Sequence, residues 1–202
     1  MIFTASRPGF RPVGRGMIGV LGMLLLPLHF TAPVYAAAVG PAGCARVAPH
    51  ADATALDVPV VRQGRERCGQ AALVMVLRYY GADAAALHEV DAAYDPVLRG
   101  SLITDLASAA RRAGYDAAVE TLTSDSLVAL LDDGVPPIVL YQNGSGFLTV
   151  RHFGVVTGCD AAHASFILHD GTASPRVKTR GELERRWKTA GSQALIVRRR
   201  QS

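Results

Sequence analysis

The chain has 202 residues, half of them hydrophobic, which is enough for one buried core and leaves room for one domain. Its formal net charge is +4, but without Arg7, Arg11 and Arg15 of the N-terminal segment the balance falls to +1. Three more arginines form a C-terminal tail at 198–200, so the body is slightly acidic. This distribution argues against a nucleic-acid-binding surface. Because no Cys-x-x-Cys or His-Glu-x-x-His spacing occurs, neither a metal nor a cofactor is predicted.

The N-terminus has the pattern of an export signal. Three arginines precede the apolar run 17–26, and Val34-Tyr35-Ala36 then offers a signal-peptidase site. The run is shorter than the roughly 20 residues of a bilayer span, so a cleaved signal peptide over 1–36 is favoured over a permanent anchor. A third hypothesis is a lipid anchor at Cys44, since Ala42-Gly43-Cys44 resembles the end of a lipobox. All three place the body outside the cytoplasm, in the periplasm or cell envelope, with membrane association through this segment or a lipidated Cys44 left open.

Residues 37–56 are rich in Ala, Pro and Gly and are predicted to be a flexible lead-in, followed by one domain over 57–198 and a basic tail at 199–202. Cleavage of the signal leaves Cys44, Cys68 and Cys159. An odd number of cysteines in an exported chain leaves at least one free or lipidated thiol. Whether Cys44 pairs with Cys159, is lipidated or is free stays open.

Apolar periodicity and turn residues predict the secondary structure in chain order. Predicted helices run from Cys68 to Tyr80, over 84–93, from Ser101 to a stop at Gly114, from Ser124 to a stop at Gly134, and over 183–189. An extended segment is predicted at 58–61, with strands at 115–122, 138–142, 151–159, 165–169 and 193–198, and turns at 143–146 and 171–172. The pattern is that of an α+β domain, with N-terminal helices packed on an antiparallel sheet.

Cys68 stands between a polar run and a helix that is apolar nearly all round. Its thiol therefore lies in the first turn of a buried helix, where unpaired N–H groups and the helix dipole favour the thiolate. An isolated cysteine is more often a structural core residue. Here the flanking residues favour a nucleophile.

His152 opens an apolar strand, and Asp170 ends the next one. In an antiparallel hairpin these ends lie side by side, so a carboxylate at Asp170 would fix the tautomer of the His152 imidazole. His169 points to the opposite face and is a weaker candidate. The Gln63 amide and the Cys68 backbone N–H suit an oxyanion hole.

Two motifs carry a resemblance to a known family, the C39 cysteine peptidases: Gln63-x4-Cys68-Gly69-x-Ala71-Ala72-Leu73-x6-Tyr80-Gly81 and His152-Phe153-x-Val155-Val156-x-Gly158. The chain looks most like the stand-alone, exported members, over about residues 57–198. The resemblance implies a papain-like cysteine peptidase fold, with Cys68 as nucleophile, His152 as general base, Asp170 as orienting acid and Gln63 as oxyanion donor. The chain departs from the family where Gln70 and Gly171 replace usual prolines. It also lacks the exporters' transport domains, so double-glycine specificity does not carry over.

The sequence thus predicts an exported thiol peptidase that hydrolyses peptide bonds in a peptide or protein substrate. Two alternatives remain: a transpeptidase or amidase with the same Cys–His chemistry, and a non-catalytic peptide-binding module of the cell envelope.

Overall fold

A computed structural model describes residues 53–64, 66–145, 148–160 and 164–201. The described residues all belong to one compact unit. The predicted signal peptide, Cys44 and most of the predicted lead-in lie outside the described residues. Among the helices that are described, none combines the length and the apolar character required to span a bilayer.

The described residues form five α-helices and seven strands. The helices are α1 (Cys68–Tyr79), α2 (Ala84–His88), α3 (Ile103–Arg112), α4 (Ser124–Asp132) and α5 (Arg180–Lys188), with a 3-10 turn at Glu89–Ala93. The strands are β1 (Ala53–Ala55), β2 (Tyr115–Thr121), β3 (Ile138–Ser145), β4 (Leu148–Asp160), β5 (Ser165–His169), β6 (Arg176–Thr179) and β7 (Gln193–Arg199).

All strands pair antiparallel in a single sheet of order β2-β7-β3-β4-β5-β6, and the short β1 pairs with the far end of β4. Because β4 is longer than β3, its last residues would otherwise leave backbone groups without partners on that side. Ala53–Ala55 fill this position, opposite 158–160. These residues fall within the range predicted as a flexible lead-in, so regular structure begins before residue 57.

Helices cover both faces of the sheet, because strand residues alternate between two cores. On one face, α1 and α3 pack against Ile138, Leu140 and Phe153. On the other, α4 and α5 pack against Val139 and Tyr141. The α+β class and the packing of N-terminal helices on an antiparallel sheet are confirmed, and α4 and α5 add a second helical layer.

Two local differences from the predicted elements have physical causes. The predicted turn at 143–146 is part of a longer hairpin, with Ser145 opposite Leu148. Gly144 is required inside it, since an added Cβ would lie 2.0 Å from the Leu148 carbonyl oxygen. Strand β6 was not predicted, because it is a short edge strand whose exposed, charged side chains give no apolar alternation. The segment 58–61, which was predicted to be extended but not to be a strand, joins no sheet.

Candidate active site

Cys68 is the first residue of α1, and the residue before it, Arg67, makes no side-chain capping hydrogen bond. The thiol is partly exposed and free. Burial raises its pKa, but hydrogen bonds from the His152 side chain and the backbone N–H of Phe153, the charge of His152 and a bond from the Gly69 N–H outweigh burial and lower the pKa overall. The site therefore favours the thiolate, the nucleophilic form.

Gly69 fixes where α1 begins. A Cβ built on it would lie 3.0 Å from the tip of Leu106, 3.1 Å from the Ser101 Cβ and 3.2 Å from the Phe153 ring. Only a residue without a side chain lets the first turn approach β4 and α3 this closely. The close approach places the Cys68 thiol beside β4, where His152 lies.

His152 is buried within β4, directly opposite Tyr141 of β3. The two rings meet edge to face, with centroids 5.7 Å apart and an interplanar angle of 88°. Burial lowers the pKa of the imidazole, but the hydrogen bond and charge of Cys68 and the groups of Asp170 outweigh burial and raise the pKa overall. Opposite shifts on neighbouring groups favour the thiolate–imidazolium pair.

Asp170 lies beside His152, but the contact is made by its main chain. The His152 Nε2 is 3.0 Å from the Asp170 carbonyl oxygen. Since a carbonyl only accepts, Nε2 carries a hydrogen here, which leaves Nδ1 for the Cys68 thiol. The buried carboxylate instead accepts from the backbone N–H of Thr172 at 3.2 Å and from its hydroxyl at 2.6 Å. Arg176 approaches the other carboxylate oxygen at 3.4 Å.

Gln63 is held at the site by Gly171, the residue that follows Asp170. The Gln63 backbone N–H donates a hydrogen bond to the Gly171 carbonyl at 3.3 Å. A Cβ on Gly171 would lie 2.8 Å from Cγ of Gln63, and φ of Gly171 is +80°. Glycine is therefore needed here both for the close contact and for the left-handed backbone conformation. The Gln63 Oε1 is buried and makes no hydrogen bond within the described part of the chain.

Gln63, Cys68 and His152 line one cleft of about 650 Å³. Three apolar walls of this cleft are solvent-exposed: Leu98 (55%), Leu102 (50%) and Val150 (64%). Exposed large apolar side chains beside reactive groups are typical of a binding surface. Glu66 and Arg99 form an ion pair and also line the cleft.

The structure brings the Gln63, Cys68 and His152 side chains to one cleft and the Asp170 main chain to His152. The catalytic roles of all four residues stay predictions. His169 lies opposite Val155, and burial lowers the pKa of its imidazole, so it is neutral. Sequence reasoning missed Tyr141 and Thr172. The β3–β4 register identifies Tyr141, and the Asp-Gly-Thr sequence is typical of a turn closed by an aspartate side chain.

The remaining cysteine of the body, Cys159, is buried in β4 and disulfide-bonded. Cys44, its candidate partner, lies outside the described residues. Within the described ranges, no group of three or more His, Cys, Asp or Glu side chains is placed to hold a metal ion.

Comparisons with known proteins agree with this fold. A sequence model of the Peptidase C39 family matches residues 57–202. No curated protein matches the chain. Among solved structures, a double glycine motif protease from an AMS/PCAT transporter, in complex with its leader peptide, is 24% identical, with a TM-score of 0.57 over 72% of this chain and 94% of the other. A Bacillus anthracis protein described as a C39-like peptidase is 17% identical, with a TM-score of 0.60 over 74% and 99%. The peptidase domain of Streptococcus ComA, a bi-functional ABC transporter, is 19% identical, with a TM-score of 0.54 over 70% and 98%.

Proposed function

The chain belongs to the Peptidase C39 family, and from this premise we propose that it is a thiol peptidase in which Cys68 attacks the peptide bond. One observation carries the proposal: Cys68 and His152 form a hydrogen-bonded pair with opposite pKa shifts, on the wall of an open cleft. A structural cysteine gains nothing from such a pair, whereas a nucleophile is activated by it.

The proposed reaction follows from the placement of the groups. The Cys68 thiolate attacks the carbonyl carbon, and the oxyanion that forms accepts hydrogen bonds from the Gln63 amide and the Cys68 backbone N–H. As the C–N bond breaks, the His152 imidazolium gives its proton to the leaving amine. Water, deprotonated by the neutral imidazole, then attacks the acyl-enzyme; the C–S bond breaks, the acid leaves, and the Cys68 thiolate is restored beside the His152 imidazolium.

The substrate is proposed to be a peptide or an extended segment of a protein. The exposed apolar side chains of Leu98, Leu102 and Val150 are the support for this, because they offer contacts to apolar residues flanking the scissile bond. The double glycine motif protease was solved with a leader peptide. We propose that a peptide uses the cleft of about 650 Å³ here.

The enzyme is proposed to act outside the cytoplasm, in the periplasm or cell envelope. The disulfide-bonded Cys159 supports this, since disulfides persist in oxidising compartments. The export signal and a lipid anchor at Cys44 remain predictions from the sequence. An uncleaved signal or a lipidated Cys44 would keep the enzyme at the membrane, whereas cleavage of the signal would release it, and lipidation of Cys44 would exclude its pairing with Cys159.

Incubation of the purified protein with a peptide library, followed by mass spectrometry, tests the activity. Wild type should produce defined cuts, whereas Cys68→Ala and His152→Ala should produce none while retaining the far-UV circular dichroism of wild type. New ligated peptides among the products would indicate a transpeptidase. Peptide retention without any cut would favour the peptide-binding module.

A further inference from the structure

The turn at residues 170–174, here called the Asp170 turn, contacts both halves of the proposed catalytic site. Its first carbonyl, that of Asp170, lies 3.0 Å from the His152 Nε2. Its second, that of Gly171, accepts from the Gln63 backbone N–H at 3.3 Å. The general base and the oxyanion donor are therefore held by successive carbonyls of one short segment. A change in this turn moves both.

Thr172 is the residue that closes the turn. Its backbone N–H and its hydroxyl both lie within hydrogen-bond distance of the same Asp170 carboxylate oxygen, at 3.2 Å and 2.6 Å. The hydroxyl is also 2.9 Å from the Ser174 carbonyl. A hydroxyl has one hydrogen to donate, and the shorter, charge-assisted bond to the carboxylate is the stronger. The second acceptor lies in the same turn, so both contacts of the hydroxyl hold the turn closed.

Arg176 is a weaker restraint on the same carboxylate. Its side chain is 59% exposed and its Nε lies 3.4 Å from the carboxylate, whose own side chain is 5% exposed. Solvent screens an ion pair with one exposed partner, so it adds little to holding the turn. The Thr172 hydrogen bonds are therefore the main interactions that hold the Asp170 carboxylate in place.

We propose that Thr172 is a positioning residue: by tying down the Asp170 carboxylate, it aims the Asp170 carbonyl at His152 and the Gly171 carbonyl at Gln63. The Asp170 side chain then acts through the turn, and the direct hydrogen-bond acceptor of the imidazole is the main chain. This differs from a triad in which the carboxylate itself binds the imidazole. The inference rests on the proposed peptidase function for its cleavage readout only.

The test compares wild type with Thr172→Val, which removes the hydroxyl at nearly constant volume, and Thr172→Ser, which keeps it. Thr189→Val is the matched control, because Thr189 is exposed at the end of α5, its hydroxyl donates to the Arg186 carbonyl, and it does not line the cleft. Two quantities are measured: the pH profile of Cys68 alkylation by iodoacetamide, with the labelled peptide identified by mass spectrometry, and kcat/KM on a peptide that wild type cleaves.

Thr172→Val should move the alkylation profile to higher pH, because a misaimed imidazole no longer stabilises the thiolate, and lower kcat/KM about tenfold. Thr172→Ser should restore both to within about twofold of wild type, and Thr189→Val should match wild type. Wild-type behaviour of Thr172→Val in both measurements would overturn the proposal. So would equal losses in the Val and Ser variants accompanied by a lower melting temperature, since that indicates general destabilisation.

A second pair keeps the proposal testable if Thr172→Val does not fold. Asp170→Asn retains an acceptor for Thr172, so its alkylation profile should lie closer to wild type than that of Asp170→Ala. Equal shifts in the two variants would favour a direct role of the carboxylate and overturn the proposal. If wild type cleaves no peptide but its alkylation profile responds to Thr172 as stated, the positioning role stands and the peptidase function fails.

Discussion

The groups that surround Cys68 account for most of the reactivity expected of its thiol. Burial opposes ionisation of the thiol, yet the imidazole of His152 and two backbone N–H groups at the junction of α1 and β4 lower its pKa. The hydrogen bond and charge of Cys68 in turn raise the pKa of the His152 imidazole. Each group therefore favours the charged form of the other.

The pH dependence of the reaction follows from these directions. Activity requires the thiolate and the protonated imidazole together, so kcat/KM should rise as pH increases through the lowered Cys68 pKa. It should fall again as pH increases further through the raised His152 pKa. Iodoacetamide should label Cys68 well below pH 8.5, the approximate pKa of a free cysteine. His152→Ala should move labelling to higher pH, and a free-thiol profile in the wild type would exclude an activated Cys68.

Gln63→Ala should lower kcat about a hundredfold or more, because it removes a donor to charge that develops only in the transition state. The melting temperature should change little, since the backbone contact to Gly171 remains. Gln63→Glu should be at least as harmful, because it brings an anion near the oxyanion. Gln142→Ala is the control: its amide donates to Thr149 within the β3–β4 hairpin. Wild-type rates in both Gln63 variants would remove Gln63 from the site.

At the scale of elements, the sequence predicted what depends on periodicity and missed what depends on pairing. Helix α1 and the strand through His152 were predicted because long apolar runs with glycine stops are local signals. Strand β6 was not, since only its pairing with β5 makes Arg176–Thr179 extended. The same limit applies to the site. A hairpin argument brought Asp170 to His152, but side-chain geometry decided that the main-chain carbonyl makes the contact.

Two glycines at equivalent helix positions test how tightly α1 is placed. Gly69 and Gly181 are the second residues of α1 and α5. A Cβ on Gly69 meets three neighbours at 3.0–3.2 Å, whereas one on Gly181 meets nothing within 4 Å. Gly69→Ala should therefore cost about 1–3 kcal/mol of unfolding free energy through overpacking. Gly181→Ala should stabilise by up to about 1 kcal/mol through helix propensity.

Urea unfolding measures both variants, and Cys68 alkylation adds a second readout. Gly69→Ala should also slow labelling of Cys68, because its first turn must move away from β4. Equal free-energy changes in the two variants would contradict the close approach of α1 to β4.

At the scale of the molecule, the sheet separates two cores, and the candidate site contacts both: Cys68 packs with one core, whereas His152 contacts Tyr141 of the other. Phe153 and the partly buried Cys68 pack with the core beneath α1 and α3. The opposite core, beneath α4 and α5, contains Leu127 and Trp187. Interiors are close-packed and do not collapse freely around a void, so truncation of Leu127 in the second core should act mainly on stability.

Leu127→Ala tests whether damage in the core beneath α4 and α5 affects stability without changing the reactivity of Cys68. Leu127 is fully buried in α4, and its truncation should lower the free energy of unfolding by about 2–5 kcal/mol. Leu148→Ala is the control, because Leu148 is 86% exposed and its loss should change stability by less than about 0.5 kcal/mol. Below the melting temperature, the folded Leu127→Ala protein should alkylate Cys68 with the wild-type pH profile. A shifted profile in the folded variant would show that α4 also helps to position the thiol, through the strands that the two cores share.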